Sequence, residues 1–251
     1  MTEPRLVLAP NPGPMTLDGT NTWILGERRT IVVDPGPDDE AHLARVAEEA
    51  GDVALVLLTH GHPDHSAGAR TLAERLGVPV RAVDPTHRLG DEGLGDGEHV
   101  TVDDLVVTVL ATPGHSSDHV CFVLPERGEV LTGDHVLGRG TTVVAHPDGR
   151  LRDYLDSLAR LADAGATRLL PGHGPVVDDA AEVIAYYVRH RAERLREVAA
   201  AVAAGAATPR EVVERVYADV DRALWGAAEQ SVRAQLDYLT ETAGTAETGP
   251  E

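Results

Sequence analysis

The run Val53–Leu58 is apolar at all six positions, and the segment after it, Thr59-His60-Gly61-His62-Pro63-Asp64-His65, holds three histidines and an aspartate. A strand with no apolar–polar alternation is buried on both faces, so it lies inside a sheet that is covered on either side. That requirement points to a layered α/β architecture. It also places the polar segment at the end of a rigid strand, on a sheet edge where residues distant in sequence converge. The pattern recurs: Leu105–Leu110 is followed by His115, Glu129–Thr132 by Asp134, and Arg168–Leu170 by His173.

Other runs fill in the frame. Short β-type stretches at Leu6–Leu8, Thr22–Leu25 and Thr30–Val33 are separated by Pro, Gly and Asn turns. Strands are expected at Val78–Val83 and His119–Leu124, and residues 84–97 read as a loop. Helices are expected from Pro37 to Gly51, over Ala67–Leu76 and over Leu151–Ala164. After Asp179 the pattern becomes helical only: Ala180–Ala204, a helix starting at the capping box Thr208-Pro209-Arg210-Glu211, and a third over Ala223–Thr242. The polar tail from Gly244 to Glu251 reads as disordered. The resulting division is a domain over residues 1–178, a helical module over 179–243 and a tail over 244–251.

Composition removes several chemistries. All 22 basic residues are Arg, so Schiff-base, pyridoxal-phosphate and P-loop lysine mechanisms are excluded. The single cysteine, Cys121, excludes an intramolecular disulfide and a Cys-rich zinc site and reads as a buried strand residue. The opening Met1-Thr2-Glu3-Pro4 shows no export signal and no stretch has membrane-spanning length, so a cytoplasmic protein is expected.

The seven side chains His60, His62, Asp64, His65, His115, Asp134 and His173 are costly to gather unless they coordinate something. Imidazole and carboxylate without thiolate suit zinc in an open catalytic site, with Mn or Fe also compatible. Seven ligands exceed one four- or five-coordinate ion and suit two ions sharing a carboxylate. Such a pair lowers the pKa of bound water towards 7, so that a bridging hydroxide serves as nucleophile. Thr59, Asp34 and Asp118 lie near enough in sequence to support the ligand rings. His119 is a candidate proton donor to a leaving group, and His135 adjoins Asp134. His42, His87, His99, His146 and His190 read as surface histidines. Trp225 reads as helix-packing core, and Trp23 is a candidate for the pocket border.

The order His60-x-His62-x-Asp64-His65, then His115, Asp134 and His173, resembles the metallo-β-lactamase superfamily motif. The resemblance implies an αββα sandwich over residues 5 to about 178. It assigns His60, His62 and His115 to one metal, Asp64, His65 and His173 to a second, and Asp134 to the bridge. The segments Asn11-Pro12-Gly13-Pro14, Asp18-Gly19-Thr20-Asn21-Thr22, Thr112–His119, Gly138–Thr142 and Pro171–Pro175 further resemble the lactamase-β-like protein two family. That family implies a C-terminal winged-helix-like module and a zinc endoribonuclease acting on single-stranded RNA. No apolar strands follow Leu239, so the β wing is expected to be missing.

Charge speaks partly against RNA. The net charge is −19, and residues 1–182 carry 14 Arg against 30 acids. Nucleic-acid binding draws on basic surface and counterion release. Only the C-terminal module is neutral, with Arg189, Arg191, Arg194 and Arg196 gathered on its first helix, and aromatics are 3% of the chain. The rival reading is hydrolysis of a small-molecule ester or thioester of the glyoxalase II type, which needs no basic groove. A basic groove at the metals favours RNA, and an apolar pocket favours an acyl substrate. DNA and membranes are not expected as partners.

Overall fold

The computed structural model describes residues 2–247. Two five-stranded sheets face one another. The first has the order β1 (Arg5–Leu8), β2 (Asn21–Leu25), β3 (Arg29–Val33), β4 (Asp52–Leu57), β5 (Val80–Arg81). The second runs from β10 (Arg168–Pro171) through β9 (Glu129–Gly133), β8 (Val120–Leu124) and β7 (Leu105–Ala111) to β6 (His99–Val102). Strand β3 pairs parallel to β4 and β4 parallel to β5, while β9 pairs parallel to β10, so the interior strands of the first sheet need cover on both faces.

The unbroken apolar run supplies that cover. Leu55 and Leu57 point between the sheets and pack with Trp23, Ile31, Val107, Phe122 and Leu131. Val53, Val56 and Leu58 point outward against Leu43 and Val46 of α1 (Glu40–Ala50) and Leu72 of α3 (Ala69–Leu76). Burying each such side chain contributes about 1.5–3 kcal/mol. On the outer face of the second sheet, α4 (Leu151–Asp163) lays Tyr154, Leu158 and Leu161 against Cys121 and Val130. The first half of α5 (Ala180–Ala203) joins the same cluster through Ile184 and Tyr187. The layers are therefore helix, sheet, sheet, helix.

The distal half of α5 forms a separate small core with α6 (Pro209–Val216) and α7 (Trp225–Glu247), built on Val198, Val212, Val213, Trp225 and Val232. Thr208 caps α6 by accepting from the Glu211 amide at 3.2 Å, and Glu211 in turn takes the Ala207 N–H at 2.8 Å. Among the described residues no strand follows β10, so this module carries three helices and no wing.

Several expectations need correction. Helix α7 runs on to Glu247, so residues 244–247 of the expected tail are helical, and 248–251 lie outside the described residues. Strand β6 is too short, and too diluted by His99 and Thr101, to stand out in the sequence; it exists because it pairs with β7. The strand expected at Val78–Val83 shrinks to Val80–Arg81, and a separate single-turn helix, α2 (Pro63–Ser66), precedes α3. His42 is buried rather than on the surface: its ring lies 3.1 Å from both the Thr22 hydroxyl and the Pro35 carbonyl. Trp23 does not border a pocket. It sits in the inter-sheet core and donates from Nε1 to the Pro171 carbonyl at 3.0 Å. Trp225 and Cys121 are buried in helical and strand cores respectively.

Candidate metal centre

Six chain segments deliver side chains to one edge of the sandwich. Asp34 follows β3, Thr59 and His60 follow β4, and His62, Asp64 and His65 come from the start of α2. His115 follows β7, Asp134 follows β9 and His173 follows β10. The structure brings all seven expected ligands together, in overlapping groups whose donor atoms lie within 4.8 Å: His60, His62, His115; His60, His65, Asp134; and Asp64, His65, His173.

Hydrogen bonds fix which nitrogen of each ring faces inward. The Thr59 hydroxyl donates to Asp34 Oδ2 at 2.6 Å, so it accepts from His60 Nδ1 at 3.0 Å. His65 Nδ1 donates to Asp34 Oδ2 at 2.9 Å, His115 Nδ1 to the Val143 carbonyl at 2.7 Å and His173 Nδ1 to the Gly19 carbonyl at 3.1 Å. Each ring thus turns Nε2 into the centre. The Nε2 atoms of His65 and His173 lie 3.2 Å apart, and those of His60 and His115 lie 3.0 and 2.9 Å from His62 Nδ1. Ring nitrogens that converge this closely are the arrangement a metal ion would occupy.

Asp134 lies between the two halves. Its Oδ1 is 3.3 Å from Nε2 of both His65 and His173, and its Oδ2 is 3.7 Å from His115 Nε2. Oδ1 is buried without a hydrogen-bond donor, the mark of a carboxylate oxygen that takes a metal instead. Burial alone would raise the Asp134 pKa, but the facing His173, His65 and His115 hold it well below the usual carboxylate range. Burial also works against charge on His65, yet Asp134 and Asp34 on either side push it well above the ordinary imidazole value. His60 and His115 show the opposite balance: burial first, then neighbouring rings, lowers both, His115 to about 4. The donor set of imidazoles and carboxylates fits divalent cations.

Glycines allow the close packing. Gly133 sits at φ 46°, and a Cβ there would stand 2.6 Å from the Thr59 hydroxyl and 2.8 Å from His119 Nε2. A Cβ on Gly172 would lie 2.7 Å from the His65 ring. The segment 18–22 clamps the His173 loop: Asn21 Nδ2 donates to the Pro171 and Gly174 carbonyls, both at 2.9 Å, and its backbone N–H donates to Gly172 O at 2.7 Å. Sequence reading marked this segment without assigning it a role. The Val143 and Gly19 carbonyls carried no sequence signal, since any residue supplies a carbonyl.

The supporting candidates divide. Asp34 and Thr59 touch ligand rings as expected. Asp118 does not; it accepts from the Ser116 hydroxyl at 2.7 Å. His119 is buried with both nitrogens engaged, Nδ1 with the Thr112 hydroxyl at 2.9 Å and Nε2 with the Asp134 amide at 3.1 Å. Burial, with the neighbouring rings, lowers its pKa well below the ordinary value. His135 is fully buried beside Tyr154 with neither ring nitrogen partnered, and burial lowers it to about 3. His190, expected on the surface, is half-buried and stacks on Tyr186. His146 pairs with Asp237 at 3.0 Å, His87 packs against Gly61, and His99 is exposed.

A cavity of about 270 Å³ opens beside His115 and Asp134. Its walls are mostly apolar: Met15 and Leu17 from the N-terminal loop, Leu137 and Val143 after β9, and Val220, Leu224 and Ala228 from the C-terminal module. The Arg cluster of α5 builds no open basic face there. Arg191 is buried, and Arg194 is taken up by Glu197 at 2.7 Å and the Val216 carbonyl at 3.0 Å.

The sequence profile of the metallo-beta-lactamase superfamily matches residues 15–173. The chain belongs to that superfamily. A profile of the beta-lactamase associated winged helix domain matches residues 208–245. Among its relatives, the beta-lactamase-like protein 2 homolog of Caenorhabditis elegans is 35% identical over 250 residues, covering 93% of this chain and 82% of that one. An atrochrysone carboxyl ACP thioesterase of Aspergillus fumigatus is 33% identical over 237 residues, covering 85% and 74%. A metallo-beta-lactamase family protein from Thermus thermophilus superposes with a TM-score of 0.82 at 26% identity, covering 96% of this chain and 94% of that one. Superfamily members are generally hydrolytic metalloenzymes, and this chain is read as one.

Proposed function

We propose that this protein is a dinuclear zinc hydrolase of small acyl esters or thioesters. The observation that carries the reading is the apolar cavity beside His115 and Asp134, closed on one side by the C-terminal module. Such a wall suits an acyl chain, while its arginines are buried or partnered (Arg191 buried, Arg194 on Glu197, Arg139 on Asp18) rather than spread as the open basic surface a polyanion draws on. Support also comes from the relative named as a thioesterase.

In this reading His60, His62 and His115 would hold one ion, and Asp64, His65 and His173 the other, with Asp134 available to both. When bound, the pair supplies an activated water and Lewis-acid stabilisation of the developing oxyanion. Asp34 and Thr59 hold the rings of His65 and His60 in the tautomer that presents Nε2. His119 orients Asp134 through its backbone amide and is a positioning residue rather than a proton donor. Met15, Leu17, Leu224 and Ala228 exclude water from the acyl portion.

The test is hydrolysis of a panel of short acyl thioesters by zinc-loaded protein, with chelated protein and Asp134→Ala as controls. Turnover lost in both controls supports the reading. Absence of turnover from protein that demonstrably carries two metals would overturn it. End-labelled single-stranded RNA is run in parallel, and chelator-sensitive cutting there would favour the ribonuclease instead.

A further inference from the structure

Arg191 is the one buried arginine among the described residues, at 4% exposure. A guanidinium withdrawn from water needs a compensating anion or a full set of acceptors. Arg191 has neither. Its Nη2 donates to the Thr142 carbonyl at 2.6 Å and its plane lies over the Tyr154 ring, 4.6 Å from the centroid. Its Nε is buried with no partner, and no carboxylate of the described residues forms an ion pair with it. The neighbouring charged groups on α5 do not supply one. Arg194 has the same sign, and Glu197 is committed to Arg194. The contrast with the surface is plain: Arg81, Arg160 and Arg168 each find a carboxylate within 3.1 Å, in a chain with 41 acidic residues to 22 arginines.

The unmatched charge lies at the active edge. Arg191 lines the cavity together with His115 and Asp134. Thr142 connects them directly: its hydroxyl is 3.2 Å from His115 Nδ1, while its carbonyl accepts from Arg191. A group bound at Arg191 therefore lies one residue away from a metal-ligand ring. His190 and Arg139 also line this cavity and add no negative charge, and Arg139 is paired with Asp18 at the rim.

We infer that Arg191 is a specificity-determining residue that binds an anionic oxygen, of the carboxylate class, carried on the substrate's acyl group. The inference rests on the acyl-hydrolase reading for the word acyl, but the anion site itself does not. A carboxylate in the cavity supplies the missing counter-charge and matches the planar fork of the guanidinium. The substrate class narrows accordingly, to acyl groups that are apolar along their length and end in an acid.

The test is calorimetric binding to the zinc-loaded protein of succinate, glutarate and adipate, each compared with butyrate. Every probe offers one carboxylate to the metals, and only the diacids offer a second to Arg191. At least one diacid is expected to bind tenfold or more tightly than butyrate. That preference, measured as the diacid-to-butyrate affinity ratio, should vanish in Arg191→Gln and weaken in Arg191→Lys, which keeps the charge without the fork. If no diacid exceeds butyrate in the native protein, the inference fails without any variant being needed. It fails equally if the preference survives in a folded Arg191→Gln. A protein inactive on all thioesters that still prefers a diacid would retain the anion site and lose only the hydrolase reading.

Discussion

Asp34 occupies a backbone φ of 51°, a left-handed conformation that costs most side chains of order 1 kcal/mol or more. In that position its carboxylate takes three donors at once: the Thr59 amide at 2.8 Å, the Thr59 hydroxyl at 2.6 Å and His65 Nδ1 at 2.9 Å. Asp34→Ala would leave three buried donors without an acceptor, at about 1–3 kcal/mol each. We expect a loss of about 3 kcal/mol or more in denaturant unfolding and a 10–100-fold weaker metal affinity by competitive chelator titration. Unchanged metal affinity would show that His65 is oriented by packing alone.

Cys121 provides a pH prediction at the same scale. Full burial pushes its thiol up to about 12, against 9 when unfolded. The folded protein thus keeps the proton that the unfolded chain releases. The associated stability is complete below about pH 9 and is lost as pH rises towards 12. Melting temperature should fall more steeply from pH 9 to 11 in the native protein than in Cys121→Ala, and a disulfide thiol reagent at pH 8 should label the cysteine only in denaturant. Rapid labelling of the native state would contradict the burial. That the seven candidate ligands and Asp34 come together was legible in the sequence because side-chain type and strand-end position both carry information. Arg191 was not, since a helical arginine beside Glu193 reads as a solvated face until α5 is seen to turn it inward.

Among the elements, the joint between β2 and the loop after β10 governs one half of the centre. Asn21 holds the Pro171 and Gly174 carbonyls on either side of His173, and Gly19 fixes the His173 tautomer. Asn21→Ala removes both side-chain bonds while leaving His60, His62 and His115 undisturbed. The expected outcome is unequal: one zinc retained at native affinity and the second weakened at least tenfold, read as a change from two equivalents to one at limiting metal. Equal weakening of both would mean that Asp134 couples the sites more strongly than the loops separate them. Element types were largely readable from periodicity, and β4 was the surest because no alternation disguised it. Strand β6 and the extension of α7 to Glu247 were not, because pairing with β7 and helix continuation are decided by neighbours rather than by local pattern.

For the whole molecule, a metal bound at this centre would act on folding as well as on reactivity. Four rings turn Nε2 inward, and Asp134 Oδ1 is buried without a donor, so a cation would satisfy several crowded polar groups at this edge at once. These side chains follow β4, β7, β9 and β10 or lie at α2, so they reach the edge from both sheets. Loss of metal should therefore loosen the sandwich as a unit rather than fray one loop. A ligand present at about a thousand times its Kd contributes about 4 kcal/mol, and each kcal/mol moves the melting temperature of a chain this size by about 2–4 °C. Chelation should thus lower Tm by about 8–16 °C, with recovery on adding zinc, and Asp134→Ala should show a much smaller response to either. The remote end of the sandwich sets the control: a substitution at exposed Arg28, whose ion pair with Asp103 spans 3.7 Å, should leave the chelator response intact. A native protein whose melting is indifferent to chelator, while its metal content falls from two to zero, would mean that the converging imidazoles are held by the fold alone.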